Sequence, residues 1–173
     1  GNLTLTNING LCRIALDKLK KTYEQDIQEK NIRIVFDNLT LSLMMEVNVE
    51  QFSKVLAGIL KNSMYALLKK SETVTFSPEI FLGLKVNKDM LEITIRDNGS
   101  GIDENTKDKI FAPFFTTKTT GEAAGVGLYL CREIVQNHRG TIEVESKKGE
   151  YTQFLITIPV YQPKTITPPK EEE

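Results

Sequence analysis

A carboxylate and a cluster of glycines between residues 97 and 128 have the types and spacing that could do chemistry. Asp97 ends a run in which Leu91, Ile93 and Ile95 alternate with other residues, as side chains on one strand face do. Asp97 therefore faces the core side, where an unpaired carboxylate is costly and the amino group of an adenine would be a suitable donor. The stretch also holds five of the chain's eleven glycines: Gly99, Gly101, Gly121, Gly125 and Gly127.

A second set of residues in this stretch suits phosphate groups. Gly125 and Gly127 precede a predicted helix whose apolar positions include Leu128 and Cys131. Glycines let backbone N–H groups approach phosphate oxygens, and the N-terminus of a helix favours negative charge. Lys118 adds a cation between the two glycine clusters. The stretch as a whole predicts a nucleotide site.

Four segments, in this order, resemble the ATP-binding domain of sensor histidine kinases, within the superfamily that includes DNA gyrase, MutL proteins and large heat-shock chaperones. They are Asn62, Asp97–Ile102 (DNGSGI), Phe111–Lys118 (FAPFFTTK) and Gly125–Leu128 (GVGL). The resemblance runs from about residue 3 to residue 160. One glycine box alone would be weak evidence, but four boxes interleaved in the family's order are a strong signal.

The resemblance implies a role for each matching residue. Asp97 would accept a hydrogen bond from adenine, Asn62 would hold Mg²⁺ through its amide oxygen, and Lys118 would help to hold the phosphates. Asn62 and Lys118 are thereby the predicted catalytic residues. The predicted ATP-binding residues are Asn62, Ala66, Asp97, Gly99, Gly101, Ile102, Lys118, Gly125, Val126, Gly127, Leu128 and Thr152.

The implied activity is transfer of the ATP γ-phosphate by positioning and charge neutralisation. The acceptor would be a histidine on a separate dimerisation domain of the parent protein, with relay to a response regulator receiver domain. His138, the one histidine here, matches a structural segment of the family, so the domain should bind ATP or ADP with Mg²⁺ without phosphorylating itself. Gly58 stands where the related ATPases carry a glutamate base, four positions before Asn62, which argues against vigorous hydrolysis.

Three other functions remain open. The first is a nucleotide-sensing or scaffold domain that recruits a partner without transferring phosphate, and the second is an ATPase of the gyrase or MutL type. The third is a serine-directed kinase of the same superfamily, although the lid sequence favours the sensor type. The first would show no acid-labile phosphohistidine when a dimerisation domain is supplied.

Composition narrows the partners and the compartment. With 173 residues, 40% hydrophobic content, a net charge of −1 and a pI near 6.0, the chain suits one monomeric domain without a basic surface for nucleic acid. Cys12 and Cys131 lie on apolar helix faces without metal-ligand spacing, which predicts buried structural thiols. No apolar run is long enough to span a membrane and no signal peptide is visible. We therefore expect a cytoplasmic domain, whether or not its parent is membrane-anchored.

The predicted strands and three longer helices suggest a sandwich of α and β layers with helices on one face. The resemblance implies the GHKL or Bergerat fold, an α+β two-layer sandwich whose sheet is mixed and mostly antiparallel. We expect a domain over 1–161 and a disordered tail or linker over 162–173. The predicted elements are helices at 6–30, 49–70, 104–110 and from 126 to Gly140, an antiparallel hairpin of 32–36 with 43–47, hairpins of 80–86 with 91–97 and 141–146 with 152–160, and a mobile lid at 112–124.

Several side chains allow two interpretations from the sequence alone. Asn62 lies on or beside an apolar stripe and is either a satisfied core amide or a ligand, and Thr152 either starts a strand or helps to bind adenine. Phe111 and Phe114 suit hydrophobic anchors better than ring stackers. His138 lies in the last turn of its helix, where the charged ring is favoured, and suits a structural role.

Overall fold

The computed structural model describes residues 2–113 and 127–160. The predicted lid from residue 114 onward, with Phe114, Lys118, Gly125 and Val126, lies outside the described residues, as does the predicted tail. The described elements, in chain order, are β1 (Thr4–Asn7), α1 (Ile8–Thr22), α2 (Glu24–Lys30), β2 (Arg33–Asp37), β3 (Met44–Val47), α3 (Val49–Ser71), β4 (Glu79–Asn87), β5 (Met90–Asp97), α4 (Glu104–Lys107), α5 (Leu128–Asn137), β6 (Thr141–Lys147) and β7 (Tyr151–Pro159).

Five strands form the main sheet in the order β2-β4-β5-β7-β6. The β2–β4 pair is parallel and the other three pairs are antiparallel. Helix α3 packs on β4 and β5, α5 packs on β6, and α1 lies beside α3. The predicted fold class, a mixed sheet with helices on one face, is confirmed. No helix in the described ranges is long and apolar enough to cross a membrane.

The core lies between α3 and the central strands. Asn48 begins α3, since its side chain accepts a hydrogen bond from the Gln51 amide and so satisfies one of the free N–H groups of the first turn. The helix then buries an apolar stripe, and full burial of each such side chain contributes about 1.5–3 kcal/mol. The stripe consists of Phe52, Val55, Leu56, Ile59, Leu60, Met64 and Leu67.

The predicted hairpin of 32–36 with 43–47 is wrong. Strand β2 pairs in parallel with β4, placing Ile34 opposite Ile80, while β3 pairs with β1, placing Met45 opposite Thr6. Alternation of apolar residues decides which face of a strand is buried, and Met45 and Val47 are indeed buried. It does not decide which strand becomes the neighbour, because that depends on contacts distant in sequence.

The predicted helix over 6–30 is two helices preceded by a strand. Asn7 ends β1 and caps α1 by accepting a hydrogen bond from the Gly10 amide. The chain turns at Tyr23, whose ψ of 25° is not helical, and α2 ends at Asn31 in the left-handed conformation. The predicted apolar stripe is confirmed, with buried Ile8, Leu11, Cys12, Leu16 and Leu19.

The end of α5 also differs from the prediction. The helix ends at Asn137, and Arg139, with φ of 61°, takes the left-handed conformation that a glycine such as Gly140 would adopt more readily. Gly140 instead approaches the sheet, where an added Cβ would lie 2.5 Å from the Thr157 carbonyl oxygen. The glycine is required by close packing rather than by its φ angle. The short helix α4 ends at Lys107, three residues before the predicted end.

His138 has the structural role that was predicted. The ring is 3% exposed and packs edge-on against Phe52. Its Nδ1 lies 2.8 Å from the Ile134 carbonyl oxygen, and its Nε2 accepts a hydrogen bond from the Asn48 amide at 3.0 Å. These contacts join the end of α5 to the start of α3.

Candidate nucleotide-binding site

Three polar side chains form a row across one end of the main sheet. Strand pairing places Asp97 opposite Thr152, and Thr152 opposite Ser146. Directly opposite residues share a face of the sheet, so all three side chains stand together on the side that α3 covers. They are 2%, 4% and 7% exposed, in the order Asp97, Thr152 and Ser146. We call these three residues the polar row.

The Asp97 carboxyl is buried, as its place in the alternating strand predicted. Burial raises its pKa from 3.8 to about 7, and the nearby donors and cations, Gly99, Ser63, Lys70 and Arg96, only partly oppose this increase. The Gly99 amide donates to Oδ1 at 2.9 Å. A ligand that donates to this carboxylate would supply the stabilisation that burial has removed.

Ser63 on α3 is a residue of this site that the sequence analysis missed. It is 1% exposed, and its hydroxyl has no hydrogen-bond partner among the described residues, although it lies near enough to Asp97 to lower the pKa of that carboxyl. A buried hydroxyl without a partner costs about 1–3 kcal/mol, so Ser63 points to a ligand or a bound water. The sequence signal that could have identified Ser63 is its spacing, because a residue four after Ile59 and four before Leu67 lies on the buried face of the helix.

The loop that follows Asp97 is tied to its surroundings through Asn98. The Asn98 Oδ1 accepts a hydrogen bond from the Glu79 amide at 2.8 Å, and its Nδ2 donates to the Ser77 carbonyl at 2.8 Å. The Lys70 Nζ donates to the Asn98 carbonyl at 2.8 Å. These bonds satisfy the side chain, so Asn98 positions the loop against β4 and α3.

The two glycines of this loop make close contacts with neighbouring backbone. A Cβ at Gly99 would lie 2.5 Å from the Ala66 carbonyl carbon of α3, whose oxygen accepts a hydrogen bond from the Ser100 amide. Gly101 has a φ of 68°, and a Cβ there would collide with the Lys147 carbonyl oxygen. The loop therefore lies pressed between α3 and the turn after β6.

The family described as histidine kinase-, DNA gyrase B-, and HSP90-like ATPase matches residues 48–162. The chain belongs to this family. The matched region begins at the cap of α3 and contains the polar row, Ser63 and both glycine segments.

Several relatives and solved structures are similar to the chain. Cyanobacterial phytochrome A from Nostoc sp. is 35% identical over 149 residues, which cover 84% of this chain and 18% of that protein. Sensor histidine kinase ZraS from Salmonella typhi is 28% identical over 158 residues, covering 91% of this chain and 31% of that protein. The chain thus spans less than a third of either relative.

Among solved structures, the nucleotide-free catalytic domain of histidine kinase ThkA superposes with a TM-score of 0.74 and 28% identity. That superposition covers 92% of this chain and 96% of the ThkA domain. The match therefore extends over nearly all of both domains. Together with the family match, it identifies the chain as an ATP-binding domain of the histidine kinase type.

The described part of the predicted phosphate side begins at Gly127. Gly127 caps α5 with an extended backbone and is exposed, and no described residue lies within 4 Å of the position that a Cβ would take. Leu128 begins α5 and is half-buried. Asn62 is half-buried on α3, directly before Ser63, and Gly58 is buried one turn earlier. The structure thus brings together the residues that are predicted to contact the adenine base. Their contacts with a nucleotide stay a prediction.

Phe111 is a hydrophobic anchor, as predicted. It is 9% exposed and meets Phe154 edge-on, with ring centroids 6.4 Å apart. The Arg132 guanidinium of α5 lies 5.3 Å from the centre of the Phe111 ring. The aromatic ring therefore joins the segment before the lid to β7 and α5.

The two cysteines are buried and free, which confirms their predicted structural role. Cys12 lies in α1 and Cys131 in α5, and neither is accessible to solvent. Burial raises the pKa of both thiols to about 12, so little reactive thiolate forms at neutral pH.

Proposed function

We propose that this domain binds ATP with its adenine against the polar row, and the observation that carries the proposal is the buried Asp97 carboxyl, whose polar neighbours, Ser63 among them, only partly offset its loss of water. The Asp97 carboxyl and the Ser63 hydroxyl are both buried away from solvent in the same place. They need a ligand that forms hydrogen bonds with them, either directly or through a bound water. The adenine amino group donates to an acceptor such as Asp97, and Gly101, Ile102 and the Ala66 turn of α3 would enclose the base.

The triphosphate would then extend toward the start of α5. The amides of Gly127 and Leu128, at the N-terminus of α5, suit anionic oxygens, and those of Gly125 and Val126, which precede them in the sequence, would contribute to the same site. Lys118 would add a positive charge to this end of the site. No described residue lies within 4 Å of a Cβ position at Gly127, which is consistent with a ligand approaching the backbone there.

Asn62 would hold Mg²⁺ at the phosphate end. Its side chain is partly exposed on α3, directly before the buried Ser63, and an amide oxygen is a ligand that a hard cation accepts. Mg²⁺ bound there would neutralise charge on the phosphates. The residues of this chain would otherwise only bind and orient the nucleotide.

The activity of the whole protein is proposed to be histidine kinase activity. The γ-phosphate would pass to a histidine on a separate dimerisation domain and then to a response regulator receiver domain. Histidine kinase ThkA, in its complex with response regulator protein TrrA, superposes with a TM-score of 0.68 and 26% identity, covering 92% of this chain and 42% of that one. Because Gly58 stands four residues before Asn62, α3 carries no carboxylate at the position where the related ATPases have their base, which favours transfer over hydrolysis.

Further parts of the proposal concern the domain's extent and setting. We propose a monomeric catalytic domain over residues 1–161 with a tail or linker over 162–173. The free thiols of Cys12 and Cys131 are consistent with the reducing cytoplasm.

Calorimetric titration with ATP and ADP, with and without Mg²⁺, tests the binding proposal. Asp97→Asn keeps the shape but replaces an acceptor by a donor, so we expect ATP affinity to fall about 10- to 100-fold, the value of one charge-assisted hydrogen bond. Asp89→Asn makes the same change of charge at an exposed turn and should leave affinity unchanged. ATP binding by folded Asp97→Asn with wild-type affinity would overturn the adenine assignment.

A second stage separates a kinase from a scaffold. In the full-length parent protein, ATP should yield acid-labile phosphohistidine that passes to the response regulator. ATP binding without phosphohistidine would leave the nucleotide site intact and replace the kinase function by nucleotide sensing.

A further inference from the structure

Ser146 is the centre of the hydrogen bonds at one end of the polar row. Its Oγ donates to the Tyr151 carbonyl oxygen at 2.8 Å and accepts from the Ile102 amide at 2.8 Å. Its third neighbour is the Thr152 Oγ1 at 2.9 Å. Ser146 is buried, lies two strands away from Asp97, and is not among the residues assigned above to ATP contact.

Counting protons fixes the direction of the third bond. A serine hydroxyl has one proton, and the Tyr151 carbonyl oxygen, which cannot donate, takes it. Thr152 must therefore donate its own hydroxyl proton to Ser146. The Thr152 oxygen then turns only lone pairs toward the rest of the site.

This direction determines which base edge the site accepts. Thr152 lies opposite Asp97 on the neighbouring strand, so the site presents a carboxylate and a hydroxyl lone pair side by side. A 6-amino purine offers two N–H donors to this pair of acceptors, whereas a 6-oxo purine offers an oxygen that both would repel. Selectivity of this kind is strong because the mismatched base leaves buried polar groups unpaired.

We propose that Ser146 is a positioning residue that makes the site selective for 6-amino over 6-oxo purine nucleotides, by holding the Thr152 hydroxyl as an acceptor. The proposal rests on the proposed ATP site. Ser146 acts through Thr152 and does not itself touch the nucleotide.

The same serine fixes the loop that carries the glycines. The Ile102 amide donates to Ser146, and the Gly149 amide donates to the Ser100 carbonyl at 2.6 Å. The β6–β7 hairpin therefore holds both the loop and the Thr152 hydroxyl. Without the Ser146 hydroxyl, Thr152 is free to rotate and donate to a 6-oxo group.

The test compares ATP with inosine triphosphate, which differs at the 6-position and carries the same phosphates. Calorimetry on the whole chain gives the ratio of the two Kd values. We expect the wild type to prefer ATP and Ser146→Ala to reduce the ratio about fivefold or more, the value of one hydrogen bond. Ser146→Thr retains a hydroxyl and should restore the ratio. Val144→Ala, on the same strand, should change both Kd values in parallel or not at all.

A double-mutant cycle shows whether the effect passes through Thr152. In a Thr152→Val background the hydroxyl is gone, so Ser146→Ala should change the ratio no further. A further change would overturn the proposal, as would a Ser146→Ala variant that weakens both nucleotides equally. If Ser146→Ala does not fold, as judged by circular dichroism, Ser146→Cys carries the same comparison, because its sulfur is a weaker acceptor for the Thr152 hydroxyl.

The proposed function and this inference fail in different ways. Absence of ATP binding by the folded wild type would overturn both. ATP and inosine triphosphate binding with equal affinity would overturn only the selectivity.

Discussion

The two ends of the proposed site contain glycines for different structural reasons. At the proposed adenine end, side chains at Gly99 and Gly101 would collide with backbone of α3 and of the turn after β6. At the proposed phosphate end, a side chain at Gly127 would meet no described residue within 4 Å. In the sequence, both segments look like the same kind of glycine box. Of these three glycines, only Gly99 and Gly101 are required by the fold itself.

This difference separates two kinds of constraint. The proposed adenine end is built from strand register, the α3 carbonyl at Ala66 and the bonds of Ser146, all of which are contacts within the chain itself. At the start of α5, by contrast, the fold does not require a glycine, which is consistent with a ligand requiring it by approaching the backbone closely. Substitutions should therefore affect stability at one end and nucleotide affinity at the other.

Gly101→Ala should have the largest effect, because it combines a left-handed φ with a backbone collision. We expect a loss of roughly 2–5 kcal/mol in the free energy of unfolding, measured by urea denaturation. Gly149→Ala is the matched control, since its φ of 82° is also left-handed but nothing lies within 4 Å of its Cβ position. The control should lose only about 1–2 kcal/mol. Equal losses at the two positions would show that the collision with Lys147 is relieved at no cost.

Asp97 should make the adenine end sensitive to pH. Its pKa is raised in the folded state, to about 7, so the folded protein binds a proton that the unfolded chain has released above about pH 4. The contribution of Asp97 to stability is therefore complete below pH 4 and is lost as the pH rises to 7, by up to about 1.4 kcal/mol per unit. Asp97→Asn cannot titrate, so its stability should exceed that of the wild type increasingly across this range.

Thermal unfolding of the wild type and Asp97→Asn at each pH measures this difference. Asp89→Asn, at an exposed turn, should follow the wild type throughout. A constant gap between wild type and Asp97→Asn from pH 4 to 8 would contradict the raised pKa.

Local patterns predicted much of this architecture. Period-two alternation placed Asp97 on the buried side of β5, and helical spacing identified the buried face of α3. Both hairpins formed by chain neighbours, β4 with β5 and β6 with β7, were also predicted, because a short turn leaves few alternatives.

Features that depend on distant parts of the chain were not predictable. The parallel pairing of β2 with β4 joins segments separated by the whole of α3, and no pattern within either segment specifies it. Ser63 was missed because a small polar residue on an apolar stripe has the same appearance whether it binds a ligand or is simply tolerated. The role of Ser146 required knowledge of which strand lay beside β7 and which loop lay above it.

Gly127→Ala should have the smallest effect on stability and a selective effect on binding. The φ of −56° and ψ of 138° suit alanine, so we expect a change within about 1 kcal/mol in the free energy of unfolding. Affinity for ATP should fall several-fold because a methyl group would occupy the approach to the backbone amides, whereas affinity for adenosine should not change. Gly10→Ala in the first turn of α1, where contacts begin at 3.8 Å, controls for the general effect of the substitution. Parallel losses for ATP and adenosine would mean that Gly127 supports the adenine end, and the division of the site between fold and ligand would then be wrong.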